Sequence, residues 1–520
     1  MTTDTRSLPA LQVSYEDDPQ VVAEAAVDDY ALHVVPLTWR VSRGKLMMAY
    51  WGVMSAMFYV VTGAAVAAAV GTKQALIGIG LTIVVYGLVN KVISDAATEY
   101  GLTVALFSRS MFGRVGASLA TLIFAATAIY YFVFEGSIIG VALQSQFGGN
   151  LKIWYLVVCL YSIPLVLRGV ARWLDKLNGF LLPFYLVGMV TAVVWAAVKY
   201  GHGTEFLNVA PAVPLPLPGW LMAFCSYMGV WVLMMYTMDF ARLGKREDKK
   251  FNGWVTFGPV FYLGTFLFSG LVGIYLANTV PLDKASGFGE AGAAVAIVKL
   301  MGVLGVVLIL ITQTRINSAN LYLASSNLEA FVARVTGLRV NRGVWVVVAA
   351  TICYVLMVWG QVLTYLLKAL AYQGVFVTAW VAIALVHIFR MRRTGRPIEF
   401  RPLRVPAVNP GGLLAWVISV GVGIYLISAD GLDPRLVILA PIITVLLAAS
   451  LYLASLHSAS ESWFRVSRGC DPVDEVEDPW EARIMCTGCD RSYIAVDMDR
   501  DPLRGNAAVC AACATVGTPR

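Results

Sequence analysis

The chain has 520 residues, 58% of them apolar and 14% charged, with a mean hydropathy of +0.72 and a formal net charge of +7. A soluble domain carries about 25% charged residues, so this composition excludes a soluble globular protein and implies a surface that faces lipid. The positive residues fall between apolar runs, where orientation in a bilayer accounts for them and nucleic-acid binding does not.

Residues 1–43 are polar and acidic, with YEDDP at 15–19 and VDDYALH at 27–33, and contain no apolar run of the secretory kind. They are expected to form an N-terminal tail. A spanning helix needs roughly 20 mainly apolar residues. That window gives twelve segments: 46–70, 75–95, 116–146, 151–170, 178–200, 219–241, 254–279, 293–327, 343–360, 362–389, 412–430 and 434–456. Segments 116–146 and 293–327 are long for one straight span, so they are expected to tilt or to emerge on the inner side. With the N-terminus inside, the inner segments hold 23 Lys and Arg before the C-terminal tail and the outer segments hold 5. No segment is out of phase with the positive-inside rule, and the even span count places both termini in the cytoplasm. The expected organisation is an all-α transporter domain over 44–456, a linker over 457–484 and a small tail domain over 485–520.

The first span contains WGVMSAMFYVVTGAAV, interrupted by Gly52, Ser55, Thr62 and Gly63. The sixth contains FCSYMGVWVLMMYTMDF, interrupted by Ser226, Gly229 and Thr237. Interruptions at matching places in two halves are the sequence sign of an inverted-repeat transporter; close helix packing through small residues is the alternative.

Three ionisable residues lie at membrane depth: Glu135 in YYFVFEGSII, Arg315 in TQTRINSAN and Lys368 in TYLLKALAYQG. Each costs at least ~2.5–3.5 kcal/mol on insertion scales, which marks them for function. Tyr131 and Glu135 are i and i+4 and share one helix face. An aromatic face beside a carboxylate suits a planar heterocycle with N–H donors, and stacking on a base contributes roughly 1–3 kcal/mol in other settings. The alternative is packing for Tyr131 and a structural ion pair for Glu135. Lys368 lies near the outer end of its span, where snorkelling accounts for it; facing a cavity, it would join Arg315 in favouring an anionic substrate.

Four stretches in order, DDYALHVVPLTWR (28–40), EYGLTVALFSRSMFGRVG (99–116), MDFARLG (238–244) and SANLYLASSNLEAF (318–331), resemble the nucleobase:cation symporter-1 family, the purine–cytosine permeases. Gly101, Leu102, Thr103, Arg109, Phe112, Gly113, Asp239, Phe240 and Arg242 carry the match, which extends over roughly residues 28–455. The resemblance implies a five-plus-five inverted repeat of the leucine-transporter type with two trailing helices, in a bacterial inner membrane. It implies alternating access, a small heterocyclic substrate with a coupling ion, and no chemistry on the substrate, hence no catalytic residue.

The resemblance also implies site roles. An aromatic and a polar partner on the third helix fall on Tyr131 and Glu135. A second aromatic on the sixth falls on Trp231, or on Val230 if the register shifts by one. An Asn on the eighth that bonds the base is matched by Asn320. Asp239 and Arg242 are expected to cap the cytoplasmic end of the sixth helix. Family members bind sodium between carbonyls of the first helix, near Ser55 here, and two hydroxyls of the eighth; Thr314 and Arg315 fall at those two places. Thr314 suits the role, but a guanidinium has five donors and no acceptor and cannot coordinate a cation. The expectation is that Arg315 takes the ion's place and donates to freed carbonyls of the first helix, with snorkelling to the inner boundary as the alternative. Coupling then falls to protons rather than sodium, with Glu135 as carrier because burial favours the neutral form of a carboxyl group. Uniport or exchange stays open.

Beyond the last span, an acidic stretch leads to CTGCDRSYIAVDMDRDPLRGNAAVCAAC. Cys486, Cys489, Cys510 and Cys513 have the spacing C-x2-C-x20-C-x2-C, and SYIAVDM alternates as a strand does. This reads as a zinc ribbon, two turns each offering two thiolates to one tetrahedral ion. So small a piece has no sufficient core of its own, and the metal would hold it together. A redox dithiol pair is the alternative, disfavoured in the cytoplasm. Cys470 stands apart, and Cys159, Cys225 and Cys353 read as packing residues within spans. The ribbon is foreign to the family pattern and leaves regulation, trafficking or a cytoplasmic protein partner open. Two other functions compete with transport of a heterocycle: a ligand sensor signalling through the ribbon, and a carrier of amines or amino acids on the same fold.

Overall fold

The computed structural model describes residues 8–28, 30, 33–167, 170–211, 213–282, 292–336, 340–360, 366–458, 463–466 and 469–515. Of the residues counted for orientation, Arg168, Lys284 and Arg339, and the side chains of Arg172, Lys176, Arg334 and Arg342, lie outside the described residues.

A short strand β1 (Val13–Ser14) and helix α1 (Pro19–Asp28) precede the first span, which is α2 (Arg43–Trp51), a 3-10 turn and α3 (Met57–Val70). Then come α4 (Thr72–Tyr100), α5 (Val104–Gly116), α6 (Ser118–Phe147), α7 (Leu151–Leu167) and α8 (Val170–Tyr200). The next broken span is α9 (Gly219–Tyr227) and α10 (Val232–Ala241), followed by α11 (Arg246–Thr279), which includes two π-helical turns. The remaining helices are α12 (Gly292–Met301), α13 (Val303–Thr336), α14 (Arg342–Trp359), α15 (Leu366–Thr394), α16 (Pro410–Ser428) and α17 (Pro434–Ser458).

Among the described residues eight helices are long and apolar enough to cross a membrane, or ten if each bent pair is one span. The bends are 49° between α2 and α3 and 46° between α9 and α10. The two expected windows left over, 151–170 and 343–360, hold the shorter apolar helices α7 and α14. The expected single span over 293–327 is two helices. Gly302, at φ 58°, adopts a left-handed conformation that an L side chain resists, ends α12 and starts α13 afresh. The part of the expected span before Gly302 is therefore a separate helix, and α13 by itself is 34 residues long.

The GLT of the second motif is a stop and a start. Gly101, at φ 68°, returns its N–H to Ala97 O at 2.8 Å and closes α4. Thr103 then accepts from Leu106 N–H at 3.1 Å, and Asp239 Oδ1 accepts from Val104 N–H at 2.8 Å, so two side chains cap α5. Asp239 thus serves α5, while Arg242 closes its own helix by donating from Nε to Asp239 O at 3.0 Å.

The core is one continuous cluster through the spanning helices. α6 lies along α13, and α3 crosses the C-terminal half of α11 where both are stripped to glycine. A Cβ on Gly63 would strike Gly270, and one on Gly273 would strike the Val60 carbonyl. Small residues permit this backbone approach in a membrane, where lipid offers no hydrophobic drive.

The two chain ends meet. Strands β2 (Arg483–Cys486), β3 (Arg491–Ile494), β4 (Met498–Asp501) and β5 (Ala507–Cys510) form the C-terminal unit. β1 pairs antiparallel with β2, placing Val13 opposite Ile484, so both tails lie on one face of the membrane domain. Val21, Tyr30 and Val35 share a second small core with Ile484, Met498 and Val509. The acidic stretch is a set of partners: Asp471 pairs with Arg401 at 2.6 Å and Arg404 at 3.2 Å, and Glu475 pairs with Arg500 at 2.5 Å.

Gly273→Val is expected to destabilise the protein by about 1–3 kcal/mol through overpacking. The readout is a lowered midpoint in a thermal unfolding scan in detergent. Gly421→Val, where a side chain meets nothing within 4 Å, should leave that midpoint unchanged.

Candidate functional site

The first broken span sets the site. Where α3 restarts, the N–H groups of its first turn have no partner inside the helix. Phe58 N–H donates to Glu135 Oε1 on α6 at 3.3 Å. Gln313 on α13, its amide turned so that nitrogen faces the carboxylate, donates to Glu135 Oε2; its oxygen accepts from Met57 N–H and Thr312 Oγ1, both at 3.1 Å. A carboxylate and an amide from two other helices thus cap α3, at the end whose dipole favours negative charge.

The other side of the break receives the opposite charge. The Arg315 guanidinium lies against Gly52, so closely that a Cβ there would fall inside it. Ser55 Oγ donates to Gly52 O at 2.8 Å within the same turn. This is the C-terminal end of the α2 segment, where a cation is favoured. Arg315 is therefore turned inward to the first helix, not out to the membrane boundary.

A narrow cavity opens beside the break. Phe58 and Tyr59 of α3 line it, with Tyr131 and Glu135 of α6, Val232 and Tyr236 of α10, and Asn320 of α13. Tyr131 meets Phe58 edge-on, with centroids 5.0 Å apart and planes at 77°. Asn320 is buried and lines the cavity, and its Nδ2 meets no acceptor among the described residues. The cavity has aromatic walls and a spare amide donor, which are means to hold a flat polar molecule.

Of the residues singled out in the sequence, Tyr131, Glu135 and Asn320 come together around this cavity, with Ser55 and Arg315 at the adjoining break. Three lie elsewhere. Trp231 is directed at α4, edge-on to Tyr86 at 5.9 Å and 88°, and does not line the cavity. Thr314 faces α7, where its hydroxyl pairs with Tyr161 Oη at 3.1 Å. Lys368 is exposed in the first turn of α15. Two residues went unmarked. Gln313 is neutral, so insertion cost does not flag it. Tyr236 depends on how the 46° bend rotates α10, which residue spacing does not carry.

In the tail, the four Sγ atoms of Cys486, Cys489, Cys510 and Cys513 lie within 4.8 Å of one another. A tetrahedral ion with Zn–S of about 2.3 Å needs sulfurs about 3.8 Å apart, so the cluster has the right size. Cys486 Sγ accepts from Cys510 N–H at 3.2 Å and Gly488 N–H at 3.4 Å. The Cys510 thiol and these N–H groups outweigh burial and hold the Cys486 thiol down, to about 4. Burial and the charge on Cys486 push Cys489 up to about 12. Four sulfurs crowded together, with N–H donors aimed at one of them, suit a divalent cation that would hold all four as thiolates.

Residues 35–403 match the family model described as permease for cytosine/purines, uracil, thiamine, allantoin. Among solved structures, the chain is similar to Mhp1, a nucleobase-cation-symport-1 family transporter, in a closed conformation with bromovinylhydantoin bound. The TM-score is 0.62 at 16% identity, covering 83% of this chain and 97% of that one. The inward-facing conformation of Mhp1 gives a TM-score of 0.64 at 15% identity, covering 84% and 97%. A sodium-coupled sialic acid symporter in a substrate-bound outward-open state gives 0.53 at 14% identity, covering 84% and 94%. No curated protein matches the chain in sequence. With its family model matched over 35–403, this chain belongs to the permease family for cytosine/purines, uracil, thiamine and allantoin.

Proposed function

We propose that the protein carries a nucleobase or a related planar heterocycle, of the purine, cytosine, hydantoin or allantoin class, by alternating access. Arg315 stands in for a sodium ion, and protons drive the cycle. The observation that carries the proposal is the placement of the Arg315 guanidinium against Gly52, beside a cavity walled by Tyr131, Glu135 and Asn320. Tyr131 offers a stacking face, Asn320 a hydrogen-bond donor, and Glu135 a carboxyl group that either caps α3 or takes up a proton. A buried carboxyl group that can lose its charge can exchange protons; a guanidinium stays charged at any physiological pH. The twelve-helix reading counts α7 and α14 as spans and treats the α2–α3 and α9–α10 breaks as equivalent members of an inverted repeat. Both tails lie in the cytoplasm, beneath the inner membrane, and the four tail thiolates hold one structural zinc ion.

Two measurements test this. In proteoliposomes, uptake of the preferred base from a panel of purines, pyrimidines and hydantoins should follow an imposed proton gradient and persist when sodium is replaced by choline. Uptake driven by sodium alone would defeat the role given to Arg315. Tyr131→Ala should raise KM about 5- to 150-fold, matching a lost stack of about 1–3 kcal/mol, whereas an amine or amino-acid carrier would keep a normal KM.

A further measurement concerns the cap. Gln313→Leu leaves a Glu135 oxygen unmatched and should cost about 1–3 kcal/mol, while the double variant with Glu135→Leu should recover part of that loss. Unfolding midpoints of the four proteins decide it; strict additivity would mean that the two side chains do not interact.

A further inference from the structure

We propose that the tail metal unit is a clasp: zinc loading fixes the N-terminal segment, and through it the end of the first helix that faces the tails. The inference rests on the zinc reading above.

Asp17 is the pivot. Its Oδ1 accepts from Arg483 Nε at 2.9 Å and Nη2 at 2.8 Å, and its Oδ2 accepts from Trp39 Nε1 at 2.8 Å and Thr38 Oγ1 at 3.1 Å. One carboxylate therefore bonds the strand that ends in Cys486 and the turn that leads into α2. Burial alone would raise the Asp17 carboxyl; the bonds from Arg483, Trp39 and Thr38 outweigh it and hold the group below the usual carboxylate range. Around this pivot, Asp18 accepts from Ser492 N–H at 3.0 Å. His33 bonds Asp497 and stacks on Tyr493, with centroids 4.3 Å apart and planes at 14°.

The clasp reaches the membrane domain by three routes. Trp480 lies 5.6 Å from the Arg40 guanidinium carbon and 4.2 Å from that of Arg246. Arg40 donates to the Thr98 carbonyl at the end of α4 and to Gly244 O at 3.3 Å beyond α10. Val41 N–H donates to Leu243 O at 2.8 Å. The unit also holds the loop before α16, where Arg401 donates to Met498 O at 3.2 Å and Arg404 pairs with Asp499 at 3.0 Å. The segment tied down is the approach to the first broken helix, which must move for the site to open toward this face in a rocking transporter.

The metal matters because the unit's own core is small. Cys486 and Cys510 are themselves members of the cluster that Val21, Tyr30 and Val35 pack on. Without an ion, the bonds that tie the two cysteine turns together are missing and that cluster loosens. Docked Asp17 and Tyr30 then lose the surface they rest on, and the approach to α2 is freed.

The test uses the full chain in nanodiscs. Zinc content is measured by elemental analysis, and hydrogen exchange is followed over residues 8–28 and 33–51 before and after a zinc chelator, with zinc added back. One zinc per chain is expected, with exchange in both segments at least tenfold faster after stripping and restored on reloading. Asp17→Ala should keep its zinc and show the same tenfold rise over 33–51. Zinc that binds and strips with exchange unchanged in both segments overturns the clasp and leaves the zinc reading standing. Loss of zinc from Asp17→Ala overturns the proposed order of action, since Asp17 would then support the ribbon itself. A wild-type chain that never takes up zinc overturns the metal reading, and the clasp with it.

Discussion

A broken helix inside a bilayer leaves backbone N–H and C=O groups that hydrocarbon cannot satisfy, and each costs several kcal/mol if left so. The rest of this site is arranged around that constraint. At the first break the restarting helix gives its N–H groups to Glu135 and Gln313, and the ending segment faces Arg315. The two charges come from α6 and α13, which lie along each other. The first helix is therefore held by a pair of helices rather than by its own ladder. Whatever moves the pair, or changes the charge on Glu135, alters what holds the break.

This bears on how an ion is replaced. A bound sodium would supply one positive charge at the carbonyl end of the break and leave with each cycle. The proposed substitute supplies the charge permanently, with donors in a rigid fork rather than a point charge. It therefore stabilises the break in every state and cannot itself carry a gradient. On that proposal the coupling role passes to a group that can change its charge, and Glu135 is a titratable side chain bonded to the same break.

Much of this was legible in the sequence where one residue type has one physical meaning. Gly101 and Gly113, which carry the family match, stand at left-handed positions, whereas Gly302, read as part of one continuous span, divides it into α12 and α13. The depth of Glu135 and Arg315 announced that both were held by something. The four cysteines announced their cluster by spacing alone. What stayed hidden depends on rotation or on distant pairing. Trp231 and Tyr236 are both aromatics in the second broken span, and only the direction of the bend decides which one reaches the cavity. The pairing of Val13 with Ile484 spans nearly the whole chain, and a two-residue strand has no periodicity to read.

The tail shows why the hidden part matters. Read locally, residues 471–478 are an acidic linker; in place, Asp471 answers Arg401 and Arg404. Those arginines count toward the positive charge that orients the protein, yet they are buried and paired with carboxylates; burial alone would lower the Arg401 pKa, and the Glu399 and Asp471 bonds outweigh it and raise it. Buried ion pairs contribute little net stability, but removing one partner is costly. Such pairs suit a docked element whose position matters more than its affinity. A tail joined to the transporter by bidentate, charge-specific bonds can occupy one orientation and no neighbouring one. That is the property a segment needs if it is to hold the approach to a moving helix in register.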